Sequence, residues 1–513
     1  MTEPRREDTA RAAGRGGLAV AGAKVYFILI GFVQQTLLNR LLGTDGYGTF
    51  SRAQAYFNIA DNVVITSSIQ GASRTVAEAP PEQQAAAQRT TLAIHAALAL
   101  PIAGLFFLIA PTVAAALGAP HIATHLRIAS LIVLGYALYT PFVGTLNGRR
   151  RFGSQAALDV TYATVRTAAM LGGAYFLRSS AQGPLGTVSG FAMAALVIVP
   201  IAAVVAGVGR PGPGGPKLGP YLSLLAPLAL GQLFFNLLLQ SDITLLGYFA
   251  AGAADRAGLA GDAALAVADR SVGIYKACQL FAFLPYQLLV SVTFILFPML
   301  AKAHAEGDAE AVKSYVRTGM RLAMVMTGAM VAVVVGLAPG MLGLVFPREL
   351  ADAGGPVLRV LALGQGAFAL FAIATTVLSS LHRERWTMAL NAVATIIVVG
   401  AAFALVPGAA PGAPIAARAA LATSVGLLAS LALAGFLVAR VAGALVSPLT
   451  VVRVAVALVV AGGAPTLLGH TGKLATLGLA AIIGLVYLIV LIVTGELGKA
   501  DLGLVKRVLG KRA

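Results

Sequence analysis

The chain has one cysteine, one tryptophan and six histidines in 513 residues, and only 11% of its residues are charged. Cys278 has no second thiol to meet, so a disulfide within the chain is excluded and a thiolate metal cage is not supported. His121 and His125 share i,i+4 spacing, but no carboxylate stands near them in sequence, so they do not read as a metal site. No HExxH helix, GxSxG elbow, P-loop or paired-carboxylate loop occurs. These absences argue against an enzyme, call for no cofactor, and leave an ion gradient, a substrate gradient or a partner as the source of any energy.

What is present is apolar: 58% of residues are hydrophobic and apolar runs of span length recur from end to end. The fold class expected is an all-α polytopic membrane protein with about 14 transmembrane helices. The spans include Gly16 to Leu41, Tyr47 to Ser73, Ser154 to Leu177, Pro220 to Phe249, Ser271 to Leu300, and a final pair near Leu449 to Leu468 and Leu474 to Val493. The stretch from Ala250 to Arg270 reads as the longest outer loop, and no loop approaches the size of a catalytic domain. A formal net charge of +17 would point to nucleic acid in a soluble protein. Here the basic residues gather in alternate short loops, such as Arg149 to Arg151, Arg383 with Arg385, and the tail with Lys506 and Arg507. That bias predicts a multi-pass protein with both termini cytoplasmic and no nucleic-acid partner. The first span is too long for a signal peptide and is retained.

An internal repeat organises the chain. LIAPTVAAALGAPHIATHLRIASL, from Leu108, returns as GLAPGMLGLVFPRELADAGGPVLRVLAL, from Gly336, and RRRF at Arg149 to Phe152 answers RERW at Arg383 to Trp386. Gln35 and Asn39 on the first span answer Asn236 and Gln240 on the seventh, and Arg52 answers Lys276 within one residue. The division predicted is a basic N-terminus over residues 1–15, an N-lobe over 16–219, a C-lobe over 220–440, two further helices over 441–496, and a basic tail over 497–513.

The helix from Tyr47 is too polar for lipid. Helical spacing lines up Gln54, Asn58, Asp61 and Asn62 along one side of it, Gln232, Asn236 and Gln240 on the seventh span, and Lys276, Gln279 and Gln287 on the eighth. One such amide is interhelical glue; several stripes on repeat-related helices suit a water-filled lumen better. A charge at a span centre costs about 2.5–3.5 kcal/mol on insertion scales, so Asp61 and Arg166, both mid-span, need a function or a partner. Lys24, Arg52, Asp242 and Lys276 lie nearer span ends, and Asp61 and Asp242 are candidates for ion coupling. Basic residues outnumber acidic ones within the spans, which favours an anionic cargo, phosphate above all.

With NRLLGTDGYGTFSRAQ ending at Gln54, LNGRRRF after the fourth span, SVGIYKA leading into FILFPMLAKAHAEGD, LVFPRELADAGGPVLRVLAL, and the closing GELGKADLGLVKRVL, the sequence resembles the polysaccharide-biosynthesis, Wzx-type flippases of the multidrug/oligosaccharidyl-lipid/polysaccharide exporter superfamily. The resemblance covers nearly the whole chain. It implies two repeated six-helix lobes around a central lumen plus two C-terminal helices, in a bacterial inner membrane. It also implies movement of undecaprenyl-diphosphate-linked oligosaccharide between leaflets. The lumen residues implied are Gln35, Asn39, Arg52, Asn58, Asp61, Asn236, Gln240, Lys276 and Gln279; the polar pattern adds Lys24, Asn62, Arg166, Gln232 and Gln287. Partners implied are the lipid-linked glycan, membrane lipids, and a polysaccharide polymerase with chain-length or export proteins. The alternatives are a peptidoglycan lipid II flippase, then a multidrug or cation antiporter.

Overall fold

A computed structural model describes residues 3–180, 182–463 and 472–498. The basic tail from residue 499 lies outside the described residues, as do the side chains up to residue 21. Among the described residues there are fifteen α-helices and no strand. They are α1 (Glu3–Glu78), α2 (Gln84–Ala116), α3 (Ala123–Gly148), α4 (Phe152–Leu177), α5 (Gly183–Ala206), α6 (Leu218–Arg256), α7 (Gly261–Ala282), α8 (Leu284–Ala305), α9 (Ala309–Gly336), α10 (Ala338–Gly343), α11 (Arg348–Ser380), α12 (Glu384–Leu405), α13 (Ala413–Ala442), α14 (Pro448–Gly463) and α15 (Lys473–Val493).

Ten of them are long and apolar enough to cross a membrane. The fourteen expected crossings map onto these helices as follows. α1 carries the first two, because Gly43 breaks it at φ 71°, ψ 172°, a backbone conformation that a side chain disfavours. α4 is long enough for the fifth but less apolar, with Gln155, Asp159 and Arg166 along it. α7 and α8 share the eighth, and the shorter α14 is the thirteenth. Large apolar side chains such as Leu108, Val204, Leu474 and Val493 stand exposed on these helices, as lipid-facing surfaces require.

Two stretches differ from the sequence reading. The supposed outer loop is already helical from Gly261, so Asp269 sits on a helix two residues before the predicted eighth span. The ninth span, expected from the sequence over Gly319 to Val345, ends early, at Gly336, because Pro339 in the first turn of α10 starts a new helix.

The repeat is written into two corners. After α3, Arg149, Arg150 and Arg151 donate their amides to the carbonyls of Thr145, Asn147 and Leu146. After α11, Leu381, His382 and Arg383 donate theirs to Val377, Ser379 and Leu378 in the same pattern. Arg150 and His382 occupy the left-handed region, at φ 58° and 56°. The equivalent residues are therefore Arg150 and His382, with Arg151 opposite Arg383, a two-residue shift from the match read off RRRF and RERW.

By packing, the chain forms two compact units, residues 1–273 and 274–513. In the first, α1 lies against α3, α4 and α6, while α3 and α4 pack on α5. Glycines allow the closest approaches: a Cβ on Gly190 would overlap the Ala169 carbonyl, and one on Gly173 the Gly186 carbonyl. In the second unit α11 is central, against α8, α9 and α13. The last two helices attach there through α9: the Tyr487 hydroxyl donates to the Val325 carbonyl at 3.1 Å, and buried Glu496 accepts from Arg321 Nε at 2.7 Å, Arg453 and Thr450. The repeat divides the sequence near residue 220, whereas packing groups α6 and the first half of α7 with the helices before them.

Candidate functional site

The polar side chains of α1 sort into three settings. The first is an aromatic pocket in the first unit. Phe57 and Asp61 are one helical turn apart on α1, and both are buried. Phe57 belongs to a buried cluster that includes Tyr136 and Tyr139 from α3, Tyr162 from α4 and Phe191 from α5. Phe57 meets Phe191 edge-on at 5.7 Å, Tyr136 meets Tyr162 at 5.7 Å, and Tyr139 lies 5.5 Å from Tyr162. The Tyr162 hydroxyl donates to that of Tyr136 at 2.9 Å. Arg166 completes the wall, its guanidinium centred 4.7 Å from the Phe27 ring, 5.6 Å from Phe191 and 5.8 Å from Tyr162. Both Asp61 oxygens, the Tyr139 hydroxyl and Arg166 Nε are buried without a hydrogen-bond partner among the described residues. The charges of Asp61 and Arg166 both reach the Tyr136 and Tyr162 hydroxyls. Asp61 and Arg166 do not pair with each other.

The second setting is an ion-pair knot. Arg52 is fully buried and donates from Nη1 to Asp269 Oδ1 at 2.8 Å. Its Nη2 reaches the carbonyls of Leu117, Gly118 and Gly247, at 3.2, 3.2 and 3.3 Å. The other Asp269 oxygen accepts from Thr49 and lies 2.9 Å from His121 Nε2. Four segments are thus tied at one point: the start of the second span, the turn after α2, α6 and α7. Glycine makes the approach possible, because a Cβ on Gly48 would overlap the Asp269 carbonyl and one on Gly273 the Thr44 carbonyl. Burial alone would raise the Asp269 carboxyl, but the His121 hydrogen bond, the Arg52 charge and the Thr49 hydroxyl outweigh it and hold the group below the usual carboxylate range. His121, weighed from sequence for a metal, is occupied by this carboxylate. Among the described residues no cluster of His, Cys, Asp and Glu is arranged to hold a metal.

The third setting is a half-buried amide face. Asn58 and Asn62 on α1, and Gln232 and Gln240 on α6, are neither buried nor exposed. Asn236, between the two glutamines, is buried and donates to the Gln232 carbonyl at 2.8 Å. Gln35 accepts from the Tyr47 hydroxyl at 2.9 Å, and the buried Asn39 leaves its Nδ2 without a partner. Asp242, a few residues along α6, is buried and accepts the Ile243 amide at 2.7 Å. Lys24 is exposed on the first span, and its charge acts on Asp159 of α4. In the second unit Lys276 donates to Gln279 at 3.4 Å, and Gln287 is half-buried.

Sequence reasoning missed Asp269, hidden in an apparent loop, and Tyr136 and Tyr139, which look like ordinary membrane aromatics. It also missed a buried relay in which His95 on α2 meets the Tyr221 hydroxyl of α6 at 2.9 Å and Ser68 of α1 at 3.4 Å. The one signal for the tyrosines is the repeat itself, once its register is known.

Residues 13–304 match the sequence profile of a family described as polysaccharide biosynthesis protein. No curated protein matches the chain. Among solved structures, the fold is similar to the lipid II flippase MurJ in an inward closed conformation, at 14% identity and a TM-score of 0.72, covering 93% of this chain and 99% of that one. It is also similar to an inward-facing multidrug resistance MATE family transporter of the MOP superfamily, at 15% identity and a TM-score of 0.60, over 81% of this chain and 94% of that one. A third similarity is to a MOP superfamily transporter from Pyrococcus furiosus, at 14% identity and a TM-score of 0.58, over 82% of this chain and 94% of that one.

Proposed function

Given that the chain belongs to the polysaccharide biosynthesis protein family, we propose that it is a flippase. Its cargo is undecaprenyl-diphosphate-linked oligosaccharide, moved from the cytoplasmic to the periplasmic leaflet of a bacterial inner membrane. The observation that supports this reading most is the match of residues 13–304 to the polysaccharide biosynthesis family; the fold, similar to a lipid II flippase over 93% of the chain, agrees with it. The chemistry agrees. Lys24, Arg166 and Lys276 supply cationic groups suited to diphosphate oxygens, and the half-buried amides Asn58, Asn62, Gln232 and Gln240 suit sugar hydroxyls. Arg52 has a different part, since its charge is already met by Asp269. It holds one end of the helices of the first unit together, and transport proceeds by alternating access. The lipid tail stays in the bilayer, and no bond of the cargo is made or broken.

A second reading, lipid II as cargo, is favoured by the same fold match. Purified protein in vesicles, given a fluorescent undecaprenyl-diphosphate oligosaccharide, lipid II or a cationic dye in separate runs, distinguishes the readings. We expect leaflet exchange of the oligosaccharide lipid. Exchange of lipid II alone moves the assignment to the second reading, and transport of the dye alone removes both.

A further inference from the structure

Asp61 is 2% exposed, and neither of its oxygens has a hydrogen-bond partner among the described residues. An ionised carboxylate taken from water without donors carries a penalty on the order of several kcal/mol. As a neutral acid it carries only that of unpaired polar atoms, roughly 1–3 kcal/mol. The surrounding groups offer no counter-charge in contact, since Arg166 lies over aromatic faces and makes no ion pair with Asp61.

The second unit shows what the same scaffold looks like without this group. With Arg150 set opposite His382, Tyr136 and Tyr139 fall opposite Phe368 and Phe371, Tyr162 opposite Ala394, and Arg166 opposite Val398. By the match of Arg52 with Lys276 in the sequence, Asp61 falls opposite the region of Pro285 and Tyr286, where the Tyr286 ring packs 5.0 Å from Phe368. At these places the second copy has phenyl and aliphatic groups with one phenol, Tyr286, and one amide, Asn391. The first has three phenols, a guanidinium and two acids there, so packing alone does not require those charges.

We infer that Asp61 is a proton-binding site: it is held as the neutral acid while its pocket is closed, and releases the proton to water when the face of α1 that carries it opens during transport. The proton enters from solvent, binds one carboxylate oxygen and leaves from it, with no other bond changed. The titratable groups within reach of its charge are Tyr136 from α3 and Tyr162 from α4; Arg166 lies beside these two hydroxyls, Tyr139 and Asp159 lie farther along the same helices, and α5 carries none. Of the other helices packed on α1, α2 brings His95, engaged by Tyr221, and α6 brings Asp242, engaged by the Ile243 amide. The binding half of this inference stands on the pocket alone, and the coupling half rests on the proposed function.

Infrared difference spectroscopy of the purified full chain between pH 5 and pH 9 tests the binding half. We expect a carboxylic-acid carbonyl band that disappears at high pH, is missing from Asp61→Asn and persists in Asp159→Asn. A band indifferent to Asp61→Asn, no titrating band at all, or a band that responds to sodium at fixed pH each overturns the site. If Asp61→Asn does not fold, Asp61→Glu must shift the band and its midpoint, and an unmoved band is equally fatal. Vesicles test the coupling half: a pH gradient accelerates oligosaccharide-lipid exchange in wild type, and in Asp61→Asn the ratio of exchange with the gradient to exchange without it falls at least tenfold. An undiminished gradient response in Asp61→Asn overturns coupling. Absence of exchange in wild type counts against the proposed function and leaves the infrared result to decide the proton site.

Discussion

At the corner between α3 and α4, and again between α11 and α12, a residue with positive φ turns the chain and three amides cap the preceding helix with the same bonds. One helical turn or more away from those corners the two regions part. α4 carries Asp159, Tyr162 and Arg166 where α12 carries Asn391, Ala394 and Val398, and α3 carries tyrosines where α11 carries phenylalanines. Backbone geometry needs the corner, so the corner is repeated. The helix interiors need only matched shape, and phenylalanine and tyrosine have nearly the same shape. A hydroxyl or charge found in one copy alone is therefore a candidate for function, and a fold built on a repeat contains its own control.

The most severe test is to make the first unit resemble the second. Tyr136→Phe, Tyr139→Phe and Arg166→Val together should reduce glycan-lipid exchange to the protein-free background while the protein remains folded in the membrane. Retained exchange would mean that the polar pocket is ornamental. Next in size is the knot, whose role is to hold helices rather than to meet cargo. Arg52→Ala leaves Asp269 buried without its cation, and should cost about 3–5 kcal/mol. Thermal unfolding in detergent reads this, and Arg52→Lys should recover only part, because one ammonium cannot satisfy Asp269 and three carbonyls at once.

Smaller effects bear on single hydroxyls. Tyr139→Phe removes a buried hydroxyl that has no partner, so it should raise stability by about 1 kcal/mol while lowering gradient-driven exchange. A loss of stability would show that the hydroxyl is structural. The reverse change, Phe371→Tyr, places an unpaired hydroxyl in the second unit and should lower stability by roughly 1–2 kcal/mol with exchange unaffected. The last expectation concerns pH. Asp269 is held below the ordinary carboxylate value, so its contribution is complete above the unfolded value, about 4, and is lost as pH falls through the folded value. Unfolding temperature should therefore be flat from pH 7 to 5 and drop below about pH 4, with a smaller drop in Asp269→Asn.

Much of the fold is legible in the order of residues alone. Apolar runs determine membrane crossings because lipid offers no water to an unpaired backbone, and this makes the helices, the break at Gly43 and the closing pair readable. The repeat is visible in part because some of its prolines stand at helix starts, where the ring fits and an amide is not needed: Pro120 opens a short turn, Pro339 stands in the first turn of α10 and Pro347 caps α11. Asp61 stands out because a mid-span charge is expensive anywhere. The chain alone also carries the basic bias that suggests an anionic cargo.

What each charge meets is settled by tertiary packing. Arg52 and Asp61 are, from sequence, two charges on one polar helix, the first near its end and the second mid-span. In three dimensions Arg52 finds a carboxylate from a distant helix through glycine-permitted contact, whereas Asp61 finds aromatic rings and no donor. Periodicity specifies which face of a helix a residue occupies, but not which helix lies opposite, because partners far apart in sequence are chosen by the packing of the whole unit. The difference between a clamp and a proton site is that choice of neighbour.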